Sequence, residues 1–248
     1  MLQRSAYILA VFALAAAATA QTGSGTTASK KASTTTAAKH PTAIIHTNAG
    51  DLKCQLFPDK APLAVANFIG LSNGTKDWKN PATGKMVHGK PLYDGVIFHR
   101  VIPEFMIQGG DPTGTGSGDI GFTFNDELNA DLLFDRPGRL AMANRGPNTN
   151  SSQFFITEKD TSFLNPCLQD GGCPELNRAK GTGYTIFGQC DDATVELEKQ
   201  IARRPRDGRD KPHDTVTISH IEILSGTPAA AKSTTGTSKT VRKQTPAK

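Results

Sequence analysis

Phe98-His99-Arg100-Val101-Ile102-Pro103-Glu104-Phe105-Met106-Ile107-Gln108-Gly109-Gly110-Asp111 is the run on which the reading of this chain turns. It places an arginine, two large apolar side chains and a glutamine amide within the nine positions from Arg100 to Gln108. In a strand Met106 and Gln108 share a face, because side chains alternate with period two. Taken alone, such a run is usually a core strand with an incidental surface arginine. A second run changes that: Met142-Ala143-Asn144-Arg145-Gly146-Pro147-Asn148-Thr149-Asn150-Ser151-Ser152-Gln153-Phe154-Phe155-Ile156. Its density of Asn, Gly and Pro makes an irregular loop. Asn144 and Gln153 offer hydrogen bonds there, and Phe155 can wall a pocket.

Around these runs the chain reads as short strands. Ala43–Thr47 and Leu52–Phe57 flank the turn cluster Asn48-Ala49-Gly50-Asp51, a hairpin signal. Pro62 suits the first position of a helix whose face carries Val65, Phe68, Ile69 and Ser72, and Asn73-Gly74 stops it. Residues 74–92 are polar with Gly and Pro, and predict an exposed loop. Further strand-like runs are Val96–Val101, Phe105–Gln108, Arg139–Met142, Gln153–Thr157 and Tyr184–Gln189. Asp192 is placed to cap a second helix bearing Leu197 and Ile201. Val216–Leu224 predicts a closing strand whose alternation slips at His220, the sign of a bulge. Many short strands with two separated helices predict an antiparallel barrel or sandwich rather than a βαβ array.

The two ends differ from this core. Arg4, the apolar run Ala6–Ala17 and the small residues Ala18-Thr19-Ala20 predict an export signal over residues 1–20. Residues 21–42 and 226–248 are Thr, Ser, Ala, Gly and Lys with little to bury, and predict disorder. Residues 43–225 then form one domain. The ends hold nine basic residues and no acidic one, leaving 19 basic against 23 acidic residues between them, a net charge of −4. The chain's pI near 9.0 therefore belongs to its tails, and the domain has no net electrostatic footprint for nucleic acid. The expected compartment is periplasmic or extracellular, with no membrane insertion once the signal is removed, and the default state is a monomer.

In an exported chain the four cysteines are disulfide candidates. Cys167 and Cys173 bracket a Gly-containing turn and are expected to pair. Cys54 and Cys190 lie in apolar runs and read as buried thiols; a bridge between them needs a proximity that sequence does not give. No second ligand pair accompanies Cys167 and Cys173, which argues against zinc. The Gly109–Gly118 stretch has Thr115 where a phosphate loop needs lysine, and there is no G-x-S-x-G elbow.

The two central runs, with GDLKCQLFPDKAP after the first turn, resemble the cyclophilin family over about the whole of residues 43–225. The resemblance implies a mainly β fold, a closed eight-stranded antiparallel barrel capped by two helices. It implies a peptidyl-prolyl cis–trans isomerase that assists the folding of exported proteins, with no cofactor and no metal. The catalytic arginine falls on Arg100 and the proline pocket on Phe105, Met106, Phe155 and Leu164. The groups that position the substrate fall on Gln108, Asn144 and Gln153, with Ala143 in the groove. Phe163 stands where many members have a tryptophan associated with cyclosporin binding, which implies weakened drug binding. Tyr184 stands where histidine is frequent, and residues 165–183 form a longer loop than compact members have.

The residue types suit the chemistry. Rotation about an X–Pro bond crosses about 18–20 kcal/mol because amide resonance is lost. At the twisted geometry the prolyl nitrogen regains a lone pair, to which a permanently charged guanidinium can donate. No proton is transferred, so His99 is expected to be structural or at the pocket rim rather than a general base. The competing reading is a module that binds proline-containing segments without significant turnover.

Overall fold

The computed structural model describes residues 40–225. The expected signal, all but the last residues of the expected linker, and the basic tail lie outside them. In chain order the strands are β1 (Thr42–Thr47), β2 (Gly50–Leu56), β3 (Trp78–Lys79), β4 (Met86–Val87), β5 (Arg100–Ile102), β6 (Met106–Gly109), β7 (Arg139–Met142), β8 (Phe154–Thr157), β9 (Ile186–Cys190) and β10 (Ile218–Leu224). Helix α1 is Pro62–Asn73 and helix α2 is Asp192–Ala202.

Eight strands form one sheet in the order β10-β1-β2-β9-β7-β8-β6-β5, every neighbouring pair antiparallel. The expected strand number and direction are there, but complete closure is not. The sheet curls through 217°, a half-barrel. Its edge strands β5 and β10 share no ladder. Just ahead of them a single bridge joins Ile97 to Thr217, flanked by bonds from Phe98 N to Val216 O (2.9 Å) and Ile218 N to Val96 O (2.8 Å). The expected strand Val96–Val101 is accordingly divided: only Arg100–Ile102 joins the ladder.

Alternation decides what each strand buries. Val101, Ile107, Ile156 and Leu140 point inward, where they join Leu52, Leu56 and the aromatic group Phe68, Tyr93, Phe98, Phe154 and Phe187. The Phe68 ring meets Tyr93, Phe154 and Phe187 at centroid distances of 5.3, 5.5 and 5.3 Å. Each fully buried side chain of this kind stabilises the fold by about 1.5–3 kcal/mol. The Tyr93 hydroxyl donates to Ser152 O at 2.9 Å, and burial pushes its phenol pKa up.

Helix α1 lies against β10, and α2 against β2, β5 and β6. Pro62 opens α1, and Gly74 ends it in the left-handed region at φ 71°, as expected from the sequence. A Cβ at Gly74 would come within 2.7 Å of the Lys90 backbone carbon, so only glycine fits without a shift. The cap of α2 is Asp191 rather than Asp192: Asp191 keeps an extended backbone, and its carboxylate accepts from Thr194 N at 2.9 Å. The bulge in β10 lies one residue before His220. His46 pairs with His220 and Thr47 with Ile218, leaving Ser219 unpaired.

Residues 74–92 are not a plain exposed loop. β3 and β4 pair within them, and Trp78, buried, donates its indole N–H to Lys90 O at 3.1 Å. Cys54 and Cys190 form a disulfide rather than two thiols, because the β2–β9 register sets them directly opposite. Cys167 and Cys173 also form a disulfide, as the sequence leads one to expect.

Candidate active site

The outer faces of β5, β6, β8 and β7 carry one continuous row. Arg100 pairs with Gln108, Gln108 with Phe155, and Phe155 with Ala141. Because their chain neighbours fill the interior, these side chains are left on the outside of the sheet. Beside the row lies a hollow of about 130 Å³ lined by Arg100, Phe105, Met106, Gln108, Ala143, Asn144, Phe155, Leu164 and Tyr184. It falls short of the roughly 300–1,000 Å³ usual for drug-sized ligands and cofactors, and suits one small ring.

Aromatic packing fixes the walls. Phe155 stacks on Phe134 at 5.8 Å and receives the edge of Tyr184 at 5.5 Å. Phe134 is fully buried behind the hollow and was missed in the sequence; the apolar run Leu132-Leu133-Phe134 was the available signal. Phe105 is swung into place by a turn in which Glu104 adopts a left-handed φ of 58°. The Glu104 amide donates to the Glu158 carboxylate at 3.0 Å, and the Glu158 amide donates back to Phe105 O at 2.9 Å. Glu158 is itself buried and paired with Arg203 at 2.7 Å. Next to it Glu198 is fully buried, and neither carboxyl oxygen has a well-formed hydrogen bond among the described residues, the Ile107 backbone offering only a weak one. Burial first, and the Glu158 charge second, push its pKa up to about 9, so this carboxyl is protonated at neutral pH.

The polar side of the hollow is a chain of amides. Gln108 Nε2 donates to Gln153 Oε1 at 3.0 Å, and Gln153 Nε2 donates to Gly116 O at 3.1 Å. Asn144 Nδ2 donates to Gly183 O at 2.9 Å. The guanidinium of Arg100 is less than half exposed, with Nε 3.8 Å from the Asp210 carboxylate. His99 beside it is 7% exposed, with no partner for either ring nitrogen among the described residues. Desolvation, reinforced by Arg100 and Lys211 and opposed by Asp111, lowers its pKa and keeps the imidazole neutral.

Of the expected site residues, nine line this hollow. Two do not. Gln153 lies in an adjoining cleft of about 370 Å³ that also includes Gln108, Ala143, Asn144 and Arg145. Phe163 is 55% exposed and tilts against Phe105 at 5.5 Å, outside the hollow. No cluster of three or more His, Cys, Asp or Glu suited to a metal ion occurs among the described residues. Nor is any described helix long and apolar enough to cross a membrane.

A ring-sized apolar hollow edged by one cation and a line of amides suits the class of protein that binds a small ring carried on a polar chain. Comparison with known proteins gives that class its family. The family described as "Cyclophilin type peptidyl-prolyl cis-trans isomerase/CLD" matches residues 42–223. Peptidyl-prolyl cis-trans isomerase A of Mycobacterium tuberculosis is 49% identical over 183 residues, covering 73% of this chain and 91% of that protein. Peptidyl-prolyl cis-trans isomerase B of Streptomyces anulatus is 42% identical over 184 residues, covering 73% and 95%. A cyclophilin-type isomerase of Cryptosporidium parvum, crystallised in the presence of the dipeptide Ala-Pro, is similar in structure with a TM-score of 0.57. It is 38% identical, and the match covers 75% of this chain and 99% of that one. The chain belongs to the cyclophilin-type peptidyl-prolyl cis–trans isomerases, and its activity is that of a peptidyl-prolyl isomerase.

Proposed function

We propose that the chain rotates X–Pro bonds of exported polypeptides by holding the proline ring in the hollow while Arg100 donates to the prolyl nitrogen. The observation that carries this reading is the row Arg100–Gln108–Phe155, which sets a permanent cation beside an aromatic wall. Phe105, Met106, Phe155 and Leu164 grip the ring through apolar contact. Gln108 and Asn144 hold the chain on the other side of the bond, with Gln153 keeping the Gln108 amide oriented. The planar cis and trans forms have a delocalised nitrogen that accepts poorly. The perpendicular form has a localised lone pair, so the guanidinium bond is made chiefly at the top of the barrier. A charge-assisted hydrogen bond of this kind lowers that barrier by roughly 1.5–3 kcal/mol. The reaction needs no nucleophile, proton shuttle or cofactor.

The clients are proline-containing segments, and the compartment is periplasmic or extracellular. The signal-like N-terminal sequence supports that compartment, as do the two disulfides, which persist in oxidising surroundings. In the same reading the curled sheet acts as a closed barrel whose seam is the Ile97–Thr217 bridge. The exposed Phe163 gives a weaker cyclosporin contact than an indole would. A peptide isomerisation assay on the full chain and on Arg100→Ala tests the reading. Acceleration by the wild type and loss of most of it in the variant are expected. Binding of the peptide with no acceleration by the wild type would favour the binding-module alternative.

A further inference from the structure

Sharing Arg100 with the proline hollow is a second, polar basin of about 410 Å³. It is bordered by His99, Arg100, Gln108, Asp207, Arg209 and Lys211, with the glycine-rich segment 114–116 on its rim. Arg100 and Gln108 therefore belong to both concavities.

The charges in this basin do not cancel. Asp207 turns its carboxylate onto its own loop, accepting from Arg209 N at 2.8 Å and Lys211 N at 3.0 Å. Those bonds lower its pKa and fix the turn that sets out the two basic side chains. Asp210 is engaged with Arg206 at 3.2 Å and Arg100 at 3.8 Å. Arg209 and Lys211 are exposed, and neither has a carboxylate partner among the described residues. His99 also lines it, buried, with both ring nitrogens unpartnered among the described residues, although one of them must carry a proton as a donor. A Cβ at Gly116 would sit 3.2 Å from His99 Nε2, so glycine there leaves the imidazole uncrowded. Arg209 and Lys211, beside an Arg100 already drawn to Asp210 and an unused imidazole that feels Asp111, thus border a basin whose one lining carboxylate, Asp207, is already bonded.

We propose that this basin is a subsite for an acidic side chain, Asp or Glu, carried by the client close to its proline. The proposal rests on the isomerase reading of the adjoining hollow. A client seated in that hollow brings its neighbouring residues to the basin at high effective concentration, which a free anion lacks. The site thereby favours X–Pro bonds with a carboxylate nearby, and its basic loop draws acidic segments in from solution.

The test uses the full chain and short peptides with one X–Pro bond. Asp, Asn or Lys is placed in turn at each of the two positions on either side of that bond. At one or more positions the Asp peptide should exceed its Asn twin in kcat/KM by about three- to fivefold at low ionic strength, the scale of an exposed ion pair. Salt should shrink the ratio. The Arg209→Ala/Lys211→Ala double variant should bring it close to one while leaving the Asn peptides unchanged, and Arg209→Glu/Lys211→Glu should favour Lys peptides. Dissociation constants for the same peptides keep this result separate from turnover. A wild type that prefers Asp peptides in binding but accelerates none overturns the isomerase reading alone. An Asp-to-Asn ratio of one at every position, or a preference that survives in the double variants, overturns the subsite. So does a shift of the His99 imidazole resonances by inorganic phosphate with no Asp preference anywhere, which would assign the basin to free anions.

Discussion

The two faces of the same four strands make opposite use of their side chains. On the inner face Leu140, Ile156, Ile107 and Val101 are fully buried in the aromatic core. On the outer face, one position along each strand, Arg100, Gln108 and Phe155 border an open hollow. A period of two lets one segment serve both needs. The contrast teaches where each kind of damage should appear: inner-face changes should act on folding, and outer-face changes on rate.

The largest effect tests the core that the inner face covers, through Phe68 of helix α1, which packs on Phe154 of β8. Phe68→Ala removes a ring that contacts three aromatic neighbours, and should cost about 3–5 kcal/mol in denaturant unfolding. A loss under 1 kcal/mol would break the division between the faces. Next is the β2–β9 seam: Cys54→Ser/Cys190→Ser opens a disulfide spanning 136 residues and should cost about 2–5 kcal/mol. The same change at Cys167 and Cys173, separated by 6 residues, should cost less because the released loop is short.

Glu198 sharpens the comparison, because it is a polar group on the buried side behind β6. Its folded pKa of about 9 lies above the ordinary 4.5, so the folded state holds the proton more tightly. The stability it contributes is complete below pH 4.5 and is lost as pH rises towards about 9. Glu198→Gln, which mimics the protonated form, should therefore gain on the wild type as pH rises, reaching roughly 1–3 kcal/mol at neutral pH. Melting curves at several pH values check this, and a gap that shrinks with pH would contradict it. The smallest effect is on the rim. Phe163→Trp should tighten cyclosporin binding severalfold in titration while leaving folding stability and peptide isomerisation unchanged. An unchanged affinity would remove Phe163 from the account of drug binding.

Much of this was legible in the sequence wherever the signal was local. Arg139–Met142 and the helix from Pro62 to Asn73 were bounded by period, proline and glycine alone. The cap at Asp191 was missed by one residue because two aspartates adjoin and only backbone geometry separates them. What depends on register was not legible. The Cys54–Cys190 bridge, the β3–β4 pairing under Trp78 and the incomplete meeting of β5 with β10 all join distant or weakly patterned segments. At the candidate site, the motif residues around Arg100 and Phe155 come together around one hollow, whereas Phe134 and Glu158 lie behind other side chains and carry no surface signature. Gln153, read as a substrate-positioning group, lines the adjoining cleft, and Phe163, read at the drug-binding position, is exposed against Phe105.

The most direct measurement compares Arg100→Ala with the wild type in two quantities on one neutral X–Pro peptide: kcat/KM and the dissociation constant. If the guanidinium acts on the twisted amide, kcat/KM should fall about 10- to 100-fold while the dissociation constant moves less than about twofold. A dissociation constant that rises by the same factor as the rate falls would reduce Arg100 to a ground-state contact and contradict the mechanism.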